Sequence, residues 1–292
     1  MKLRSVQVLR AVAVLAVVLY HYGSIKIGKS GVDLFFVISG FIMVHVMPGK
    51  SPLIFARDRI WRIFPTYWAA TALLLALPGT GLDSRLWSSI LLVPDSNLYL
   101  PQAWTLTFEL TFYSGCAAYL AWGRRALLLL PLAYLSERLY HTPYTGIAAS
   151  PLFLEFLMGC VIAKLPRING IWPVAGAIAT FVLLAGLDRS LAYGVPSALL
   201  LYGCVNMESR FLKWAVPVLI GDASYSIYLT HWTLMAHMPQ WSYPGFWLVS
   251  AYLSVLFGVA FYLAVERPLN QFKPWASGLF LGRAPSNSPV SA

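Results

Sequence analysis

The spacing of its apolar runs constrains this chain more than any other feature. Segments of about 17 to 25 predominantly apolar residues, the length that crosses a hydrocarbon core, recur along nearly the whole sequence between short polar or basic turns. Ten can be marked, at 4–23, 31–47, 63–79, 104–121, 126–136, 148–165, 171–187, 191–207, 216–237 and 245–265, the fifth being the shortest. Composition agrees. Hydrophobic residues make up 59% of the chain and charged residues only 11%, against roughly 25% charged in soluble domains. The expectation is an all-α polytopic membrane protein of about ten transmembrane helices.

Charge sets the expected orientation. With the N-terminus in the cytoplasm, sixteen of the twenty-one Lys and Arg residues fall on the cytoplasmic side, and Lys26, Lys29, Arg85, Arg138 and Arg189 fall on the other. Cytoplasmic loops carry such an excess, so both termini are expected inside. The net charge of +10 has the same origin, and basic residues at helix ends rather than on a soluble face argue against a nucleic-acid partner.

Arg10 interrupts the first apolar run and no small-residue cleavage site follows "LYHYGS", so this run reads as a retained span rather than a signal peptide. Cys116, Cys160 and Cys204 lie inside proposed spans without metal-ligand spacing, so neither a disulfide nor a metal is expected. No phosphate-binding glycine loop or internal repeat is present. Residues 1–274 read as one transmembrane domain, and 275–292, mixed in Gly, Ser and Pro, as a loosely ordered cytoplasmic tail.

The first span, "LRAVAVLAVVLYHYG", carries Arg10 and His21. Ionisable groups at membrane depth cost about 2.5 to 3.5 kcal/mol on insertion scales and usually face a protein interior or a watery cavity. Eleven residues advance a helix by about 16.5 Å and turn it through three turns plus roughly 20°. Arg10 and His21 therefore share one face at opposite depths, and an elongated ligand between them is the expectation. Asp33, entering the membrane where the first span leaves it, stands at about the depth of His21. It reads either as the carboxylate that orients and stabilises that imidazole or as an interfacial helix-start residue.

Glu109, about 7 Å below Trp104 along its helix, reads as a group that binds a substrate hydroxyl or positions His21, or as the partner of a buried base. At the inner side "RDRIWRIFPTYW" brings Arg57, Arg59 and Arg62 to the level of Arg10, and arginine's planar fork suits phosphate. Topology signalling alone is the competing account of some of them. His231, in "GDASYSIYLTHW", is intramembrane toward the outer end of its span, and Glu155 and Asp222 are embedded with roles left open. Phosphates held by Arg10, Arg57, Arg59 and Arg62, with a flexible arm rising beside the first helix to His21, describe the shape of coenzyme A.

At these residues the sequence resembles the acyltransferase-3 family of integral membrane acyltransferases. The resemblance rests on Arg10 and His21, "SGVDLFFVISGF", the Arg59 and Arg62 pair, "AWTLTFELTFY", "GDASYSIYLTH" and "VERPL", in order, and covers nearly all ten spans. The opening and the single Glu109 are most similar to the exopolysaccharide acetyltransferase branch. The resemblance implies transfer of an acyl group, commonly acetyl from acetyl-CoA, to a hydroxyl of a surface polysaccharide or lipid-linked glycan, in a bacterial inner membrane. His21 would be the general base, Asp33 and Glu109 its catalytic companions; direct transfer and a transient acyl-histidine both stay open. No soluble esterase-like domain follows the last span, so the expectation is transfer within the membrane region or delivery of the group to a partner.

A proton-coupled transporter using the buried His, Asp and Glu groups is the rival reading. Against it, the sequence shows neither inverted-repeat symmetry nor paired broken helices.

Overall fold

The computed structural model describes residues 3–23, 25–94, 97–140, 142–211, 214–238 and 245–272; the expected tail at 275–292 lies outside them. All regular structure among the described residues is helical. In chain order the α-helices are α1 (Arg4–Gly23), α2 (Ser30–Val46), α3 (Pro52–Leu75), α4 (Arg85–Leu91), α5 (Trp104–Trp122), α6 (Leu129–Tyr140), α7 (Pro143–Ala149), α8 (Phe153–Ile162), α9 (Ile171–Leu183), α10 (Val195–Asn206), α11 (Ala215–Asp222), α12 (Ser224–His237), α13 (Phe246–Phe261) and α14 (Arg267–Gln271). Three helical stretches, Arg4–Gly23, Lys26–Val46 and Phe246–Gln271, are by length and composition long and apolar enough to cross a membrane.

Helix falls within every expected span, but two spans are divided. The stretch 148–165 yields only α8, because Pro151 forces Ser150 into an extended conformation (ψ 138°) that ends α7. The stretch 216–237 is parted at Ala223, where ψ falls to −1° between α11 and α12. Two helices also carry π-helical turns, Ser190–Gly194 leading into α10 and Tyr262–Glu266 leading out of α13.

α1 is the axis of the bundle. It packs against α2, α10, α11, α12 and α13, and its residues Ala13, Val14, Val17 and Val18 are almost wholly buried. Its first turn would leave backbone N–H groups unpaired. The Glu208 carboxylate accepts from Arg4 N–H (2.6 Å) and Ser5 N–H (3.0 Å), a negative charge at the positive end of the helix. α1 is thereby fixed in depth, and Arg10 and His21 with it.

The other side of α2 packs on α8 through glycines. A Cβ on Gly40 would lie 1.9 Å from the Phe156 carbonyl oxygen, and one on Gly159 would lie 2.0 Å from that of Val37. Only small residues let two backbones approach so closely. Beside this crossing Phe36 and Phe112 stack on Phe156 at 4.6 and 4.5 Å between ring centroids, tying α2, α5 and α8 into one aromatic core.

Gly40→Ala should therefore force α2 and α8 apart and destabilise by about 1–3 kcal/mol. Gly115→Ala at an exposed position of α5, where an added Cβ meets nothing within 4 Å, should be neutral or slightly stabilising. Thermal unfolding of the detergent-solubilised variants compares them, and equal melting temperatures would contradict the close-crossing account.

Candidate active site

Both ionisable residues of α1 meet the same helix. Arg10 donates to Ser224 Oγ from Nε (3.1 Å) and Nη2 (3.0 Å), and His21 lies beside His231, with Nδ1 3.3 Å from Nε2 and ring centroids 5.0 Å apart. Ser224 and His231 are seven residues apart on α12, close to two full turns, so they too share a face. The stripe read from the Arg10–His21 spacing is thus the stripe that packs on α12.

Between these two contacts lies a cavity of about 140 Å³. Arg10, Arg59, Arg62, Glu109, Tyr113 and Ser224 line it, with apolar walls from Phe35, Phe36, Ile42, Met43 and Leu106. It is elongated: Val32 and Met43, both in the lining, are eleven residues or about 16.5 Å apart on α2. One end stops at Val32, Thr105 and Tyr228; neither His21 nor His231 lines it, but the Tyr228 ring stands 5.9 Å from that of His231.

The charges around it are unequal. Arg62 pairs with Glu266, whose other oxygen accepts from Ser226 Oγ at 2.6 Å. Arg10 and Arg59 make no ion pair among the described residues, and the buried Arg59 Nε–H has no hydrogen-bond partner. The Arg59 guanidinium rests near the rings of Phe55 and Tyr113, at 5.8 and 5.7 Å. Two arginines without a direct ion pair, one with an orphaned donor, suit an anionic or strongly hydrogen-bonding ligand, although Glu109 shares the cavity.

Three expected site residues take neighbours that the sequence did not name. Asp33 does not contact His21: fully buried, it accepts two parallel hydrogen bonds from Arg189, Nε to Oδ1 and Nη2 to Oδ2, both 3.0 Å. α2 turns that face toward α8 and the π-helical turn, where Glu155 is also buried, instead of toward α1. Glu109 joins the arginine cavity rather than His21; its carboxylate accepts from Tyr113 OH and from Ser39 Oγ (3.3 Å). Arg57 does not line the cavity with the other arginines, its Nη2 lying 3.7 Å from Asp58 Oδ1.

His21 keeps an aromatic setting. The Tyr20 and Trp232 rings stand edge-on to it at 5.1 and 5.7 Å, and Trp247 packs where a Gly23 Cβ would be, 2.7 Å away. Sequence reasoning left the partners on α12 and beyond unassigned. His231 was visible only as a second intramembrane histidine, Glu266 only as part of "VERPL", and Arg189 only as an outer-side charge. No spacing rule links residues that are 156 to 210 positions apart in the chain.

The family described as "Acyltransferase domain" matches residues 3–265. Among curated proteins, the exopolysaccharide production protein ExoZ of Rhizobium meliloti (strain 1021) is 31% identical, over 83% of this chain and 90% of its own length. BcsY of Komagataeibacter xylinus, whose name describes a membrane-bound transacylase, is 28% identical over 78% of this chain and 72% of its own. Nodulation protein 10 of Rhizobium leguminosarum bv. viciae is 25% identical over 83% and 82%. No solved structure matches.

Because Asp33 is held by Arg189, changing either should cost stability. Asp33→Asn and Arg189→Met should each destabilise by about 1–3 kcal/mol, below the loss for breaking a fully buried pair because the Arg189 side chain is 32% exposed. Melting temperatures of both single variants and the double variant measure the coupling; strictly additive losses would deny the pair.

Proposed function

This chain belongs to that acyltransferase family and is a membrane acyltransferase, and from that premise we propose that it moves an acetyl group, or a related acyl group, from cytoplasmic acetyl-CoA to a hydroxyl of an extracellular or lipid-linked polysaccharide. The names of the relatives, exopolysaccharide production and transacylation, support the carbohydrate acceptor and the acyl chemistry. We place the chain in the bacterial inner membrane with ten crossings and both termini cytoplasmic, as its charge asymmetry favours.

One observation carries the reading of the donor. Arg10, Arg59 and Arg62 line a single elongated cavity that runs toward the His21–His231 pair. At about 140 Å³ it is well below the roughly 300–1,000 Å³ of sites that enclose a drug-sized ligand. A chain-like arm suits it and a nucleotide does not. The phosphorylated head would stay at the cytoplasmic end, near Arg59 and Arg62, with the half-buried Arg57 at the rim. Arg10, Glu109, Tyr113 and Ser224 offer hydrogen-bonding groups along the arm's path.

His21 would then take the proton of the acceptor hydroxyl on Nε2 as the oxygen attacks the thioester carbonyl carbon. The carbon–sulfur bond breaks, and His21 returns the proton to the departing sulfur. The ester and the free thiol account for all atoms. Phe35, Phe36 and Leu106 exclude water from the path, which limits hydrolysis of the thioester. Asp33 contributes by holding α2 against the π-helical turn, and Glu109 by ordering Tyr113 beside the arginines.

His21→Ala should abolish transfer, with a loss of about 10² to 10⁴ in rate, and leave donor affinity nearly intact. Arg59→Ala should do the reverse, raising the donor KM; it is a cleaner probe than Arg62→Ala, which also strips Glu266 of its partner. Calorimetric binding of acetyl-CoA to purified protein and mass spectrometry of the cell's surface polysaccharide read the two effects. A wild-type acylation pattern from His21→Ala cells would overturn the assignment.

A further inference from the structure

Resting on the reading of His21 as the base, we propose that His231 is the residue that positions it, by fixing which of its ring nitrogens carries the proton. A base needs its lone pair on the nitrogen that faces the acceptor, so the hydrogen must be held on the other one. His21 Nδ1 lies 2.9 Å from the Val17 carbonyl oxygen. A carbonyl can only accept, so Nδ1 is the protonated nitrogen.

That bond alone does not distinguish His21. His45 reaches the Phe41 carbonyl at 2.9 Å and His237 that of Thr233 at 2.8 Å, each one helical turn back. What His21 has besides is a second group facing the same nitrogen, His231 Nε2 at 3.3 Å. The His231 ring is wholly buried, and its Nδ1 is 2.7 Å from the Tyr228 carbonyl, to which it donates. In the neutral ring this leaves Nε2 as a lone pair aimed at His21. The Nδ1–H of His21 is thus shared by two acceptors, and its Nε2 is free to take a proton.

The support for His231 continues outward. Gln102 Nε2 donates to the carbonyls of Leu229 (2.8 Å) and Tyr228 (3.4 Å), while Tyr228 OH donates to the Gln102 carbonyl at 2.8 Å. Thr105 Oγ1 meets the same phenol oxygen at 2.8 Å. The start of α5 therefore clamps the stretch of α12 from which His231 projects. When His21 becomes imidazolium, its bond to His231 becomes charge-assisted, the class of hydrogen bond roughly twice as strong as a neutral one. His231 thereby favours the charged intermediate state of the base over its resting state, without touching substrate.

The test compares His231→Gln with His231→Asn. A Gln amide reaches the place of Nε2 and can present an oxygen to His21; an Asn amide reaches only the place of Nδ1. Transfer of label from radiolabelled acetyl-CoA to glycan is measured in native membranes lacking the wild-type protein, with melting temperature and acetyl-CoA affinity measured on purified protein. His231→Asn is expected to lower kcat about 10- to 100-fold with donor KM unchanged, His231→Gln to recover to within about threefold of wild type, and the His21→Ala/His231→Asn double variant to be no slower than His21→Ala. If His231→Asn does not fold, His231→Leu takes its place as the variant without an acceptor. Wild-type kcat in the acceptor-less variant, equal losses with Gln, or multiplied losses in the double variant would overturn the proposal while leaving His21 as base. Full activity of His21→Ala would remove the underlying reading, and the role of His231 with it.

Discussion

An apolar interior offers no water, so each polar group carried into it must find its partner on another helix, and the packing follows from those pairings. In this chain most of them converge on α12. Ser224 receives Arg10 of α1, Tyr225 OH donates to the Ile63 carbonyl of α3 at 2.9 Å, Ser226 donates to Glu266, and Tyr228 is locked to Gln102 and Thr105 at the start of α5. His231 then meets His21. Four elements are registered against one helix through groups that would be costly to leave unpaired, and that registration sets where the arginines and the histidine pair stand along the bundle.

The departures from regular helix serve the same constraint. The π-helical turn Tyr262–Glu266 delivers Glu266 to the interior, where it is 1% exposed and bonded to Arg62 and Ser226. The turn Ser190–Gly194 begins immediately after Arg189, the residue that holds Asp33. A wider turn re-aims the side chains that follow it, which is how one helix can keep its backbone bonds and still present a charged group to a fixed partner. The break at Ala223 likewise frees the start of α12 to place Ser224 at the Arg10 guanidinium.

What the sequence disclosed and what it concealed divide along this line. Helix positions were legible because span length and apolar continuity are local, and the common face of Arg10 and His21 was legible because helical period is local too. The arginine cavity was half legible: Arg10, Arg59 and Arg62 were grouped by depth, whereas Arg57, only two residues before Arg59, turns to Asp58. Asp33 and Glu109 were placed by depth alone, and the structure gives them Arg189 and Tyr113 with Ser39 as neighbours. Depth follows from counting residues along one helix, but the neighbour a side chain faces depends on how the helices are rotated against each other. That rotation is fixed by features such as the Gly40–Gly159 crossing and by π-helical turns, neither of which announces itself in composition or spacing.

On the proposed reading, recognition and chemistry would sit at opposite ends of one narrow path. Arginines that attract an anion also attract water, and water beside a thioester competes with the acceptor hydroxyl. Under that proposal, Arg59 and Arg62 at one end and His21 beyond the other would keep the strongly hydrated charges away from the reacting bond. The cavity is walled by Phe35, Phe36, Ile42 and Leu106, and on this proposal it would admit a slender arm and little solvent. On the same proposal His21 would work with a neutral imidazole and a neutral partner, His231, where a carboxylate partner would bring a second charge and its hydration. The placement of Asp33 fits this proposal: the charge pair Asp33–Arg189 stands apart from the His21–His231 pair, which carries no carboxylate between its rings.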